Sequence, residues 1–220
     1  MNKLVQQILA SPVPVVVFVS PRGGMAASAG MLLVLAGHAA AMTPESAIGA
    51  ASPVGMQGEN LETTVETKTK EILKASVRSL AARRGNQAVA LAESAIESAV
   101  AATSEEALAA GLIDYIADDL DDLLQQLDGQ ALEVSGKSVT LGLEGALVTP
   151  VEETLVEGIL GLLTNPNIVF LLLSVGVQAL LIELSNPGGW FAGFVGVVLL
   201  SLAVYGLGIL PVNWFGIIFL

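Results

Sequence analysis

The chain has 220 residues, no cysteine, nine basic against 21 acidic side chains and a formal net charge of -12. Only 14% of the residues are charged and the mean hydropathy is +0.72, which is too apolar for an ordinary soluble domain. The acidity argues against nucleic-acid binding, and the lack of cysteine excludes disulfides, Cys-ligated zinc and a thiol nucleophile.

The first sixty residues alternate predicted strands and helices. The β-branched run at residues 13–19 predicts a strand that is buried on both faces, as in a parallel sheet. The turn SPRGG follows, and small residues predict a helix over about 25–35 with Ser28 in its first turn. Residues 39–44 predict a second strand, and a Gly- and Ser-rich loop extends to residue 60.

The next seventy residues are predicted to be mainly helical. Long helices are predicted at 61–84 and 87–100, and Thr103 with Glu106 predicts a capping box for a short helix. The strand LIDYIA and a last helix with early aspartates follow. This order of strands and helices is typical of an α/β layer structure, and the alternating segment 131–143 predicts a hairpin.

Two uncharged stretches near the C-terminus predict transmembrane helices. Residues 164–182 would span roughly 28 Å as a helix, close to the thickness of a bilayer's hydrocarbon core. A turn and a second uncharged stretch at 190–210 follow, and residues 215–220 predict a third helix that is cut off. A buried hairpin of a soluble protein is the less favoured alternative. The orientation in the membrane stays open, because no Lys or Arg lies near either stretch.

Ser28 is a candidate nucleophile. A hydroxyl at the start of a helix lies beside backbone N–H groups that can stabilise an oxyanion, here that of Ala29. Gly24, in the glycine-rich bend before it, is a second candidate for oxyanion or substrate contacts. The alternative is that Ser28 is only a small residue that allows close helix packing.

Lys68 is the candidate general base. At 100° per residue, the predicted helix at 61–84 has an apolar stripe formed by Leu61, Val65 and Ile72. Lys68 lies within this stripe, whereas Lys70 and Lys74 lie on the opposite side, where Glu66 can pair with Lys70. Burial of Lys68 would favour its neutral form and allow a Ser-Lys dyad. Alternatively, its stem lies along apolar surface and its ammonium reaches water.

The remaining polar groups are predicted to be structural. His38 lies at a helix-to-strand bend, and no neighbouring residue completes a Ser-His-acid set. The aspartates between residues 114 and 122 lack the glycine and the liganding glutamate of an EF-hand loop, so we expect a solvated helix start. No metal and no cofactor is expected.

Several segments together resemble the NfeD family (nodulation efficiency protein D) of membrane-bound serine proteases of the ClpP class. They are VPVVVFVSPRGGMAASAG, IGAASPV, RSLAARRGN and SEEALAAGLIDYIADDLDDLLQQLDG, followed by NPNIVFLLLSVGVQALLIELSNPGG and LGILPVNW in the membrane region. The resemblance covers nearly the whole chain. It implies a ClpP- or crotonase-like α/β unit followed by transmembrane helices. It also implies that Ser28 is the nucleophile and that Lys68, eleven residues before Ser79, is the catalytic lysine.

The resemblance also implies an organisation and a substrate. A ClpP-like protease domain is expected at 1–129, a hairpin and juxtamembrane connector at 130–163, and a transmembrane region at 164–220. The substrate would be a hydrophobic segment of a stomatin-like membrane protein, and a homo-oligomer is expected. The family's first βαβ unit, with part of the oxyanion hole, lacks a counterpart here, so the chain is expected to be a fragment. The alternatives are an inactive membrane scaffold or partner-binding protein, and an acyl-CoA-handling relative.

Overall fold

The computed structural model describes residues 2–53, 63–185 and 188–209. The end of the predicted loop, Leu61 and the predicted third membrane helix lie outside the described residues. The chain divides into two compact units, one reaching Leu147 and the other beginning at Val148.

The first unit alternates short strands with helices, as the α/β interpretation predicts. In chain order it contains α1 (Asn2–Leu9), β1 (Val16–Val19), β2 (Met25–Ala27), α2 (Ala29–Ala36), β3 (Ala39–Met42), β4 (Ala47–Gly49), α3 (Thr63–Ala81), a 3₁₀ turn (Ala82–Arg84), α4 (Asn86–Glu97), β5 (Ala101–Thr103), α5 (Ser104–Ala109), β6 (Tyr115–Ile116), α6 (Leu120–Leu127), β7 (Ala131–Val134) and β8 (Lys137–Thr140).

Two three-stranded sheets and one hairpin form the sheet structure of the described residues of this unit. The first sheet has the order β1-β3-β6 and is parallel throughout. In the second sheet β4 pairs in parallel with β2 and antiparallel with β5. The prediction that β1 is covered on both faces is confirmed, since Val17 packs against one apolar cluster and Val16 and Phe18 against another, but only Val19 is fully buried. The reason is that β1 is an edge strand and β3 occupies the centre.

The central strand β3 separates two apolar clusters. Ala40 and Met42 face the larger cluster, in which α2, α3 and α4 pack together, whereas Ala39 and Ala41 face a smaller cluster with α6 and the β7-β8 hairpin. This alternation is the period-two pattern of a strand covered on both sides. The hairpin was predicted to belong to a connector, but its buried residues Leu132 and Val134 pack into the smaller cluster.

Helix α4 lies close to α3, and three of its four buried positions are alanines. Ala88, Ala92 and Ala95 recur on one side of α4, and Val77 and Ala81 are buried on α3. Small side chains allow two helix backbones to approach closely, and Ile96 of α4 is buried in the same cluster. Polar bonds between the two helices add to this packing.

The described part of the second unit contains three apolar helices. They are α7 (Leu155–Leu163), α8 (Pro166–Ser185) and α9 (Phe191–Ile209). By length and composition, α8 and α9 could each cross a membrane, and their apolar windows are only 11% and 17% buried. A core helix of a soluble protein would be mostly buried. Gly176 and Gly196 lie where α8 meets α9, and a Cβ atom on either would crowd a leucine of the facing helix.

Candidate active site

Ser28 lies at a sharp turn from strand to helix. Residues 25–27 were predicted to be helical, but they form β2, since Ala26 pairs with Ile48 and Ala27 with Gly49. Ser28 therefore comes immediately before α2 instead of within its first turn, with φ 49° and ψ -109°. A positive φ is unfavourable for serine and is typical of a backbone held in place by its surroundings.

The Ser28 backbone is held by the neighbouring strand, while its side chain is free. Its N–H donates a hydrogen bond of 2.9 Å to the carbonyl oxygen of Gly49. The side chain is exposed, and its hydroxyl makes no hydrogen bond within the described parts of the chain. An exposed hydroxyl on a strained strand-to-helix turn is the geometry of a nucleophile elbow.

The N-terminus of α2 offers N–H groups beside Ser28. Ala29 is the first residue of this eight-residue helix, so its N–H has no acceptor within the helix. The positive end of the helix dipole adds to the attraction for a developing oxyanion. The geometry therefore favours Ala29 as the oxyanion donor.

Gly24 does not offer its N–H to a ligand. That N–H donates to the carbonyl oxygen of Pro21 at 2.8 Å, and the Gly24 carbonyl accepts from the Ala47 N–H at 3.0 Å. A Cβ atom at this position would lie 2.7 Å from the Pro21 oxygen. The Gly24 N–H is therefore engaged within the turn, where glycine lets the chain bend, and a contact of Gly24 with the oxyanion or substrate stays a prediction.

An apolar groove of about 250 Å³ lies beside the turn at Ser28, and Ala26 and Gly30 on either side of Ser28 are part of its lining. It runs between β1, the start of β2 and α2, and its lining includes Phe18, Met25, Leu33 and Val34. Met25, one of these lining residues, is 66% exposed. The groove suits an apolar segment of a polypeptide chain more than a charged ligand.

Lys68 lies on an exposed face of α3. The neighbouring Val65 and Ile72 of the same face are 48% and 68% exposed, so the structure matches the alternative in which the Lys68 ammonium reaches water. The reason is that α3 packs on α2 and α4 through its other apolar stripe, which contains Val77 and Leu80. Within the part of the chain that the structure describes, Lys68 makes no hydrogen bond and no ion pair.

The two neighbouring lysines of α3 are both paired. Lys70 Nζ lies 2.8 Å from Glu66 Oε1, which confirms the predicted pair, and Lys74 Nζ lies 3.1 Å from Glu71 Oε1. The hydrogen bond with Glu66 raises the pKa of Lys70, and the hydrogen bonds with Glu71 and Glu97 raise the pKa of Lys74. Both side chains are therefore cations near neutral pH.

His38 and Asp114 have structural surroundings. His38 Nδ1 accepts a hydrogen bond of 3.1 Å from the Val15 N–H, and burial lowers the pKa of this imidazole. Asp114 accepts from the Ala40 N–H and from the buried side chain of Arg84, each at 2.8 Å. Within residues 2–53, 63–185 and 188–209, no group of three or more acidic or histidine side chains could hold a metal ion.

Comparison with protein families matches both parts of the chain. Residues 5–119, just over half of the sequence, match the Clp protease family, and residues 167–220 match the NfeD integral membrane domain. The chain belongs to the Clp protease family. The predicted resemblance and the ClpP-like α/β fold are therefore confirmed. With the apolar helices α8 and α9, the NfeD domain makes this Clp protease relative a membrane protein.

Two curated relatives extend beyond this chain. It is 34% identical over 99% of its length to the membrane-bound protease PH1510 of Pyrococcus horikoshii and covers 50% of that protein. It is 27% identical over 90% of its length to the membrane protein NfeD1b of Bacillus subtilis and covers 44% of it. The chain thus spans about half the length of the curated relatives that it matches.

Solved structures of one similar protein share the fold of the first unit. They belong to 1510-N, a membrane-bound stomatin-specific protease. A lysine-to-alanine mutant of it in complex with a substrate peptide matches with a TM-score of 0.62 at 31% identity, over 70% of this chain and 72% of that one. A serine-to-alanine mutant has the same TM-score at 33% identity, over 70% and 75% of the two chains.

Sequence patterns missed the second sheet of this Clp protease domain. Strands β2, β4 and β5 have three residues each, too few to show a period-two pattern. They lie in segments predicted as helix or loop, so the pairing of Ser28 with Gly49 could not be anticipated. A weak signal was the glycine of the sequence AIGA, since an isolated glycine marks a close backbone approach.

Proposed function

We propose that this chain carries the protease domain of a membrane-anchored serine endopeptidase, with Ser28 as nucleophile and Lys68 as general base. The observation that carries the proposal is the strained, exposed Ser28 immediately before the N-terminus of α2 in a member of the Clp protease family. The Ala29 N–H would stabilise the oxyanion. Serine peptidase chemistry needs these three parts: a nucleophile, a base and an oxyanion donor.

The proposed reaction is an acyl transfer in two steps. Ser28 Oγ attacks the carbonyl carbon of the scissile peptide bond while Lys68 Nζ takes the hydroxyl proton. The tetrahedral intermediate collapses to an acyl-serine ester, and the protonated lysine passes its proton to the leaving amine. Water then hydrolyses the ester with the same lysine as base, which regenerates the serine hydroxyl.

Ion pairing supports Lys68 over its neighbours as the base. In 1510-N the mutated serine and lysine lie 41 positions apart, whereas Lys68 and Lys70 lie 40 and 42 positions after Ser28. The spacing alone therefore does not choose between them. Lys70 is held as a cation by Glu66, and a general base must be neutral before it can accept a proton.

The proposed substrate is an apolar segment of a stomatin-like membrane protein. The structurally similar 1510-N is named a stomatin-specific protease. The groove beside Ser28 is apolar, and Lys68 lies between the exposed side chains of Val65 and Ile72. An apolar segment that covered this face would remove water from Lys68 and favour its neutral form. A multi-pass membrane topology and a homo-oligomer complete the proposal.

A fluorophosphonate probe tests the proposal on the full chain in detergent. The probe should label the wild-type chain, whereas Ser28→Ala and Lys68→Ala should abolish labelling. Lys137→Ala, on the exposed hairpin strand β8, is the matched control and should label normally. Labelling that survives Ser28→Ala would refute the nucleophile. A folded wild-type chain that takes no label would favour the inactive scaffold instead.

A further inference from the structure

The C-terminal end of α4 holds the strand segment that positions Ser28. Directly after Gly49, the Ala50 N–H donates a hydrogen bond of 2.8 Å to the Val100 carbonyl. The Ala51 N–H donates one of 2.9 Å to the Ala95 carbonyl. The hydroxyl of Ser52 donates a hydrogen bond of 2.7 Å to the Ile96 carbonyl. Since Gly49 accepts the Ser28 N–H, residues 95–100 support the nucleophile through one intervening segment.

The same end of α4 also binds α3. Lys70 Nζ donates a hydrogen bond of 3.0 Å to the backbone carbonyl of Glu97, the last residue of α4. Lys74 Nζ lies 3.1 Å from Glu97 Oε2. Cations are favoured at a helix C-terminus, where carbonyl groups lack partners. The two lysine side chains are 18% and 21% exposed, whereas the carboxylates of Glu66 and Glu97 are 38% and 53% exposed, so these bonds lie at the surface edge of the helix contact.

We propose that Lys70 and Lys74 are positioning residues that fix α3, and with it Lys68, on the turn of α4 that also fixes Ser28. The inference rests on the proposed function, since it takes Lys68 as the base. The nucleophile and the base lie on different elements. The end of α4 is bonded directly to α3, and it is linked to Ser28 through the segment that follows Gly49. A displacement of about 1 Å between reacting groups costs on the order of a hundredfold in rate, so a modest loosening of α3 is measurable.

A second ion pair between the same helices provides the control. Arg78 Nε donates a hydrogen bond of 2.6 Å to Glu93 Oε1. Arg78 lies ten residues after Lys68, about 15 Å along the helix axis, whereas Lys70 is two residues away. General loosening of the α3–α4 contact would follow from losing either pair. Displacement of Lys68 should follow from losing the Lys70 contact, to a smaller extent from losing the Lys74 contact, and not from losing the Arg78 pair.

The test measures Ser28 labelling by a fluorophosphonate and hydrolysis of an apolar peptide by the full chain in detergent. Lys70→Met should lower the labelling rate and kcat about tenfold and change KM less than about twofold. The inflection of the pH–rate profile should not move. Lys70→Arg should restore the rate to within about twofold of wild type, and Arg78→Met should stay equally close. Lys74→Met should give a smaller loss, since it leaves the Lys70 bonds intact.

Other outcomes overturn the inference or the function beneath it, and they can be told apart. The positioning role would be overturned if Lys70→Met kept the wild-type rate. It would also be overturned if Lys70→Met and Arg78→Met lost equal activity, or if Lys70→Arg failed to restore the rate. An unlabelled wild-type chain, or Lys68→Ala at the wild-type rate, would overturn the proposed function and with it this inference. Lys70→Arg as inactive as Lys68→Ala would make Lys70 itself the base.

Discussion

Replacing Gly49 by alanine should disturb the backbone that holds Ser28. Gly49 has φ +126°, and a Cβ atom there would lie 2.3 Å from the Val100 carbonyl oxygen and 3.1 Å from Ala101 Cα. Both neighbours belong to the backbone of β5 and the residue before it, so no flexible side chain can move aside. The variant can fold only if the segment around Gly49 shifts.

The expected cost follows from strain and from lost hydrogen bonds. A residue in a sparsely populated backbone region costs about 1–3 kcal/mol. The bonds from Ser28 to Gly49 and from Ala50 to Val100 contribute a net of about 1 kcal/mol each, and the shift weakens both. We expect a loss of about 3 kcal/mol, which corresponds to a decrease in Tm of about 6–12 °C for a chain of this size.

The matched control is Gly85→Ala. Gly85 has φ +101°, but no atom lies within 4 Å of its added Cβ, so it reports backbone strain without the clash. We expect Gly85→Ala to cost about 1–2 kcal/mol and to leave Ser28 labelling intact. Thermal unfolding followed by circular dichroism and the fluorophosphonate labelling rate measure both effects. If Gly49→Ala labels at the wild-type rate and is no less stable than Gly85→Ala, the reasoning is refuted.

Three further predictions concern other parts of the chain. Burial lowers the pKa of His38 below 6.5. Below about pH 6.5 the unfolded chain therefore binds a proton more readily than the folded one, and the stability should fall as pH decreases through this range. His38→Asn should weaken this dependence in thermal unfolding; equal pH dependences would contradict it. Ile72→Ser should change stability by less than about 0.5 kcal/mol, because the side chain is 68% exposed, yet raise KM for an apolar peptide; an unchanged KM would argue against substrate on this face. Glu183→Leu removes a carboxylate that accepts two N–H groups at the start of α9, at 2.8 and 3.2 Å, and should cost about 1–2 kcal/mol in detergent, whereas the exposed Glu152→Leu should not.

Local sequence patterns determined several elements by themselves. The capping box of Thr103 and Glu106, the hairpin turn at Ser135 and Gly136, and the pair of Glu66 with Lys70 all appear as predicted. Each of them depends on residues within four positions of one another, so the chain needs no distant partner to form it. The two long apolar helices were equally readable, because length and composition suffice to recognise them.

The tertiary structure alone decided how the candidate site is assembled. Helical periodicity placed Lys68 on an apolar stripe, but which of two stripes of α3 is buried depends on where α2 and α4 pack. The conformation of Ser28 depends on Gly49, twenty-one residues later, and the role of Gly24 depends on a hydrogen bond within the folded turn. Burial and long-range pairing belong to pairs of elements, and the periodicity of a single element does not encode its partner.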